Sequence, residues 1–544
     1  MDHRRRTLVS VMCSGFAAWV FIGCSDPMPP DSTPRTEIAA PEALENCAPD
    51  ANWLPMTPPV AQFMPLPHPT TECPFYRGGW QTFLIATQAD ATGAPALLGY
   101  PTIDTTFTSR FTHPANRAYL GDIKQAGQRE ILIDQNGNSL YYGIHVNEAF
   151  RQFIADNDLK TSDKLQAYPT AKKNLFFPAG VAEFKSAWQI VEGDAAAIQA
   201  QTADYIAMQT TVPTLSKDAS GNIVEDRDTP IAVTVRLLAL HVVFTLPGHP
   251  EFIWASFEHS TGAPDAAAVD GKRDLAPVFE DSNPDATNNT TLTTPASPHD
   301  FLLYKAGTPV NRANASIPER ELNLVGQKFL VPGTSTPQTT PIYRMFAASK
   351  SNTTDPDEAI TSLNNNVEAL FKAYPADKRG HYRLVGAQWM DKPDFFVKDF
   401  PIQNSLASPF AAPPKDADHP DSIGIGRTDF LAAIAQDGAD SPYSILAGED
   451  RMSSTAMESF TQVTFENCFR CHNTQAINAN GVALNDQSTN AIKLITPGLL
   501  NVSHVISQFI LEDCNQPENL KPNDDPLFPN AKMAVCPVFK APPP

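Results

Sequence analysis

The chain has 544 residues, a formal charge of −20, 42% hydrophobic residues and 18% charged ones. At roughly 100–200 residues per domain this length allows several domains and a real hydrophobic core, which excludes wholesale disorder. Fifty prolines argue against a long-helix bundle, because each fixes φ and removes a backbone donor, and the acidic balance excludes nucleic acid as a partner, since most of the surface would repel phosphate.

The N-terminus places Arg4, Arg5 and Arg6 before an apolar run from Leu8 to Ile22. About fifteen apolar residues behind a positive cluster read as a secretory signal, because a membrane span needs ~20. The stretch Phe21-Ile22-Gly23-Cys24 resembles a bacterial lipobox, so Cys24 is expected to be lipidated and to become the mature N-terminus; a plain signal peptide cut nearby is the alternative. Ser25 after the cysteine favours the outer membrane slightly over the inner, although Asp26 pulls the other way. Removing residues 1–23 takes away three arginines and one aspartate, so the exported chain is more acidic than its precursor. Such a surface favours a basic docking partner and meets an anionic bilayer only through its lipid. Residues 24–60, rich in Pro, Asp and Ser, read as a tether.

The body expected over 61–402 is mixed and β-rich. Residues 131–147 are two apolar runs around Asn136-Gly137, a hairpin signal. Asp134, Asn136 and Asn138 match the opening of a calcium loop, but no glutamate occupies the twelfth position. Residues 181–191 alternate like a half-buried strand, with Val181, Glu183, Lys185 and Ala187 on one face. The apolar run 229–246 is rich in β-branched residues and fits central strands. After it, His241, His249 and His259 join Glu251 and Glu258, yet their spacings match no helix or strand repeat that would converge them on a metal. Residues 281–299 are a surface loop by composition. Residues 403–444 read as a linker with a short helix. There Gly424-x-Gly426 lacks the third glycine of a dinucleotide fingerprint, and Thr428 or Asp429 as a helix N-cap explains it better.

The C-terminal 445–544 contains Cys468-Phe469-Arg470-Cys471-His472, the C-x-x-C-H signature of c-type haem attachment. Two thiols one helical turn apart reach two vinyl groups on one porphyrin edge, and the following histidine is placed under the iron as proximal ligand. A zinc knuckle would need a second Cys/His pair at matching spacing, and neither Cys514 nor Cys536 has a close ligand neighbour. Covalent haem is attached after export, so the chain should cross unfolded and a twin-arginine reading of Arg4–Arg6 is set aside. For the distal ligand three residues compete with an open, five-coordinate iron. Met533 lies 61 residues after His472 in a proline-punctuated loop. His504 falls on the polar side of a helix expected over 501–512. Met457 would lie about 22 Å from His472 if 455–473 were one helix.

Of the eight cysteines, Cys13 leaves with the signal, Cys24 takes lipid, and Cys468 and Cys471 take haem. In an oxidising compartment the remaining four suggest two disulfides, and proximity favours Cys47–Cys73 and Cys514–Cys536.

The stretches 79–88, 131–148, 181–191, 241–259, 384–390 and 455–473 together resemble a bacterial family of large, exported, single-haem proteins described as cytochrome c family proteins. The resemblance implies a periplasm-facing haem protein with electron-transfer chemistry, and supplies no substrate. The expected fold is therefore α+β: an irregular β-rich N-terminal body with long loops, plus a small, mainly α, cytochrome c-like haem domain. The leading function is an exported, lipid-anchored monohaem c-type cytochrome of the cell envelope, passing single electrons to a periplasmic redox protein. Its size motivates two alternatives. One is an oxidoreductase whose body holds a second catalytic site near Trp254, Glu258 and His259. The other is a partner-binding lipoprotein with a structural haem.

Overall fold

The computed structural model describes residues 47–50, 53–54, 72–91, 93–106, 120–126, 130–160, 177–246, 249–265, 297–309, 312–344, 358–390, 446–448, 454–460, 462, 468, 477–478, 492–493, 520–522 and 532–534. The expected signal and lipidation site at Cys24, the expected linker 403–444, residues 281–296 of the expected loop, Cys471, His472, His504 and the expected Cys514–Cys536 disulfide lie outside these residues.

The described body is β-rich. Its strands are β1 Tyr141–Val146, β2 Ala182–Val191, β3 Ala207–Lys217, β4 Ile223–Leu246, β5 His249–His259, β6 Asn323–Val325, β7 Lys328–Leu330, β8 Tyr382–Met390 and β9 Leu446–Gly448. Seven of them form one antiparallel sheet in the order β1-β2-β4-β5-β8-β9. The long apolar run is β4, which pairs with β2 along one edge and, along the other, first with β3 and then with β5. β6 and β7 form a separate hairpin. The helices are α1 Cys73–Thr87, α2 Ile103–Thr106, α3 Glu148–Asp156, α4 Ala195–Gln201 and α5 Glu358–Phe371. Among the described residues no helix is long and apolar enough to cross a membrane.

Strand alternation gives the sheet two faces. One is apolar and carries α1 and α5. Phe184, Val242, Phe244, Ala255, Phe257, Leu384, Ala387 and Trp389 belong to its core. Phe75 of α1 stacks on Trp389 at 4.0 Å between ring centroids, and Phe83 on Phe257 at 4.4 Å. A β-bulge between β5 and β8 skips Val385 in the pairing. The side chain of Asn364 on α5 takes up the irregularity: its Oδ1 accepts from Leu384 N–H at 3.0 Å and from Trp80 Nε1 at 3.1 Å, while its Nδ2 donates to Leu384 O at 2.9 Å. One amide thus joins both helices to the sheet.

β2 departs from the half-buried expectation. Glu183, Lys185 and Ala187 do share a face, but Glu183 is as buried as Phe184 on the other side, because the second face of the sheet is covered as well. The hairpin near 131–147 forms with a different turn. Asp134 N–H donates to Asn138 O, leaving three residues in the loop, and only Gly137 has positive φ (+81°). Asp134 Oδ1 accepts from the N–H groups of Asn136 and Asn138, so an Asx-type turn does the work expected of the Asn-Gly pair. Among the described residues no group of three or more His, Cys, Asp and Glu is arranged to hold a metal ion.

Cys47 and Cys73 form the disulfide expected from their proximity, tying the strap before α1 to the helix's first residue. Closing a loop of this size contributes about 3 kcal/mol in the chain-entropy model. Cys47→Ala/Cys73→Ala is expected to lower unfolding free energy by that amount in urea titration, and equal midpoints for the two proteins would refute the estimate.

The mainly α character expected of the C-terminal region is not found in its described residues. β9 joins the body's sheet by pairing with β8, one residue beyond the boundary expected at 445. Two further short ladders pair 477–478 with 492–493, and 520–522 with 532–534. Gly448, at φ +86°, fits only as glycine, because a Cβ there would lie 2.1 Å from Ala387 O.

Candidate functional site

The second face of the sheet carries the polar side chains, and their order follows from register. One transverse row runs Val146, Glu183, Val243, Trp254, Gln388 and Gly448 across β1, β2, β4, β5, β8 and β9. The next row contains Ile144, Lys185, His241, Ser256 and Gly386, and a third contains Tyr142, Ala187, Ala239 and Glu258. Directly opposed residues on adjacent strands have Cβ atoms about 4.5–5.5 Å apart, so each row is a line of touching side chains.

The segment leading into the C-x-x-C-H motif lies on this face. Tyr142 Oη donates to Ala456 O at 2.6 Å. Thr455 N–H donates to Glu258 Oε1. His241 places Nδ1 2.9 Å from Ser256 Oγ and Nε2 3.0 Å from Glu458 Oε1. Gln462 Nε2 donates to Tyr343 O at 3.0 Å. Nearest the motif, Cys468 N–H donates to Gln388 Oε1 at 2.6 Å. Cys468 is half-buried and is not in a disulfide.

The buried charges on this face are paired with one another. Glu258 and Arg344 form an ion pair with almost no exposure on either side chain, and Arg344 reaches out with its other terminal nitrogen to the half-exposed Asp265. Burial opposes the charge on Arg344, but Glu258 and Asp265 outweigh it and hold its proton firmly. Burial likewise opposes ionisation of Glu458, yet the neighbouring His241 and Lys185 hold its carboxyl below the usual range. Burial pushes the Tyr142 hydroxyl well above its ordinary value, so it stays a donor. Burial pushes Glu183 up to about 8, with Lys185 pulling the other way.

The residues singled out from sequence divide between the faces. Trp254 and Glu258 lie on the polar face with Gln388. His259 lies on the opposite one: its Nδ1 is 2.9 Å from Thr261 Oγ1, its Nε2 3.1 Å from Asp204 O, and its ring stacks on Tyr205 at 3.8 Å. Burial lowers its pKa to about 4. The three therefore do not converge on one catalytic centre. His241 and His259 are also on opposite faces, which removes the histidine cluster weighed as a metal site. Residues 454–460 form turns and not a continuous helix, so the axial separation argued for Met457 does not apply. Met457 is instead committed to an apolar cluster with Leu132, Leu140, Tyr142 and Leu238. Met533 lies in the short strand Lys532–Ala534, opposite Lys521.

Sequence reasoning passed over Gln388, Arg344 and Tyr142. The available signal for Gln388 was an amide in an otherwise apolar strand, Leu384-Val-Gly-Ala-Gln-Trp-Met390. Arg344 had none, because its partners come from residues far away in sequence.

No protein-family model, curated protein or solved structure matches the chain.

Proposed function

We propose that the chain is an exported, lipid-anchored monohaem c-type cytochrome of the cell envelope that relays single electrons to a periplasmic redox protein with a basic docking face. The observation that carries this reading is the Cys468–His472 motif, approached by a segment whose backbone is pinned to the body. Cys468 fits one attachment thiol, being half-buried, outside any disulfide and fixed through its own N–H. Cys468 and Cys471 would hold the porphyrin, His472 the iron from the proximal side and Met533 from the distal side, with Met457, His504 or an open iron as alternatives. Bound haem c supplies one-electron exchange between ferric and ferrous iron. The chain's own contribution is to place the motif and to exclude water from its body-facing side. A mainly α, cytochrome c-like arrangement of the C-terminal hundred residues belongs to this proposal.

The packing favours a carrier over a second catalytic centre at Glu258. Both carboxylate oxygens of Glu258 are engaged, by Arg344 and by Thr455 N–H, and both ring nitrogens of His259 have partners. Neither is poised as a general acid or base.

The full-length chain, exported in a bacterium competent for cytochrome c maturation, is expected to retain haem through denaturing electrophoresis at one iron per chain. Cys468→Ser/Cys471→Ser is expected to abolish that stain. Met533→Ala is expected to remove the methionine-to-iron charge-transfer band. A wild-type chain without covalent haem would overturn the function, and a band that survives in Met533→Ala would overturn the distal assignment.

A further inference from the structure

We infer that Gln388 is a positioning residue for the bound haem, not for its attachment: its side chain fixes the backbone of Cys468 on the polar face of the central sheet, so that the body forms one wall of the haem site. The inference rests on the proposed function. Gln388 sits near the C-terminal end of β8 with no exposed surface, between Ala387 and Trp389, whose side chains enter the apolar core on the other face. An amide buried in this way costs about 1–3 kcal/mol unless its polar atoms are paired. Gln388 Oε1 meets Cys468 N–H, a contact spanning 80 residues of sequence between the sheet and the first residue of the motif.

The surroundings of Gln388 allow a chain segment to come close. Its cross-strand neighbour on β9 is Gly448, and two residues back on its own strand is Gly386, neither of which raises a side chain over the row. Its neighbour on β5 is Trp254, which closes the row on the other side. A second anchor stands at Glu258, which accepts from Thr455 N–H. Glu258 and Trp254 are four residues apart on β5, or about 13 Å along the strand. The fourteen residues from Thr455 to Cys468 are thus held at both ends by acceptors from adjacent strands, with Tyr142 and His241 gripping Ala456 and Glu458 between them. A carrier that had only to hold haem in a separate domain would not require its first attachment cysteine to be hydrogen-bonded to the body. This arrangement supplies a use for the large body: it is part of the haem site.

Three full-length variants test the inference. Gln388→Met has nearly the same length and no acceptor, Gln388→Asn keeps the amide but draws it back by one methylene, and Gln388→Glu restores an acceptor oxygen at full reach. The amide of Cys468 is expected to exchange with solvent roughly tenfold faster in Met and Asn variants, as expected for loss of one net hydrogen bond. Haem content should stay at the wild-type level in all three, because attachment chemistry reads the C-x-x-C-H motif. The iron charge-transfer band should broaden and the midpoint potential move in the Met and Asn variants, with the band sharpening again in Gln388→Glu. Haem present, with exchange and spectra unchanged in both Met and Asn variants, would overturn the positioning role and leave the proposed function standing. A wild-type chain without haem would overturn that function and the haem role of Gln388 with it. Should Gln388→Met fail to fold, the Asn and Glu pair still decides between the outcomes.

Discussion

Replacing Arg344 by alanine is expected to lower the unfolding free energy by about 3–5 kcal/mol, the range for removing one partner of a buried ion pair. The size follows from burial: Arg344 is 3% and Glu258 1% exposed, so water cannot compensate the carboxylate left behind. Asp265, at 43%, remains in solvent and contributes little to the cost. Thr455 N–H would then be left as a partner of Glu258, and the segment it anchors should loosen as the carboxylate seeks solvent. Arg344→Met/Glu258→Gln is expected to recover much of the loss, because a buried charged pair can be exchanged for neutral groups of similar volume at little net cost. Urea titration of wild type, single and double variants measures the stabilities, and amide exchange over residues 454–458 measures the loosening. A single variant within 1 kcal/mol of wild type, or a double variant no better than the single, would show that the pair is not the anchor the packing implies.

The architecture was legible in part, and the limits have physical causes. The β-branched run 229–246 announced a central strand because burial on both faces from Val235 to Leu246 leaves no polar period there to confuse with a helix. The alternation of 181–191 gave the correct partition of Glu183, Lys185 and Ala187 onto one face. It also made the strand look half-buried, since a charged face on a strand normally points to water. Here it points to a chain segment that arrives more than 260 residues later, around Ala456 and Glu458. Local pattern carries no information about such a partner. Trp254 and Glu258 were noticed as chemically able residues, and both do lie on the face that receives Cys468. His259, adjacent in sequence, lies on the other face for the simple reason that a strand has a period of two. Gln388 was missed because its role is to present one oxygen to a backbone amide, and a role of that kind leaves no motif.

The pH dependence of stability should isolate Glu183. Its folded pKa of about 8, against an ordinary value of 4.5, means that the folded chain keeps this proton where the unfolded chain has released it. A raised folded pKa gives a contribution that is fully present below pH 4.5 and is lost as pH rises to about 8. Half-buried Glu225, raised to about 7 by desolvation and by Asp122, acts in the same direction. His145 and His259 act oppositely: burial holds both near 4, so stability falls as pH drops below 6.5 and the unfolded histidines take protons. Of these four groups the two carboxyls act between pH 6.5 and 8, and there a single group contributes about 1.4 kcal/mol per pH unit, or roughly 2 kcal/mol across the window. Glu183→Gln preserves shape and polarity and cannot ionise, so its stability should fall less steeply than wild type over that window, by about this amount. Parallel curves for the two proteins would place the wild-type slope elsewhere, at Glu225 first, and Glu225→Gln would then remove it. The result bears on the site because Glu183 shares a transverse row with Trp254 and Gln388. Lys185 carries the positive charge nearest it on its own strand and also faces the Glu458 carboxylate, while Glu258 is neutralised by Arg344. A protonated Glu183 therefore leaves the face that receives Cys468 without excess negative charge, although the chain as a whole is strongly acidic. The wall on which the proposed haem would rest is thus spared the acidity of the chain as a whole, and a basic face on the proposed partner would meet that acidity elsewhere.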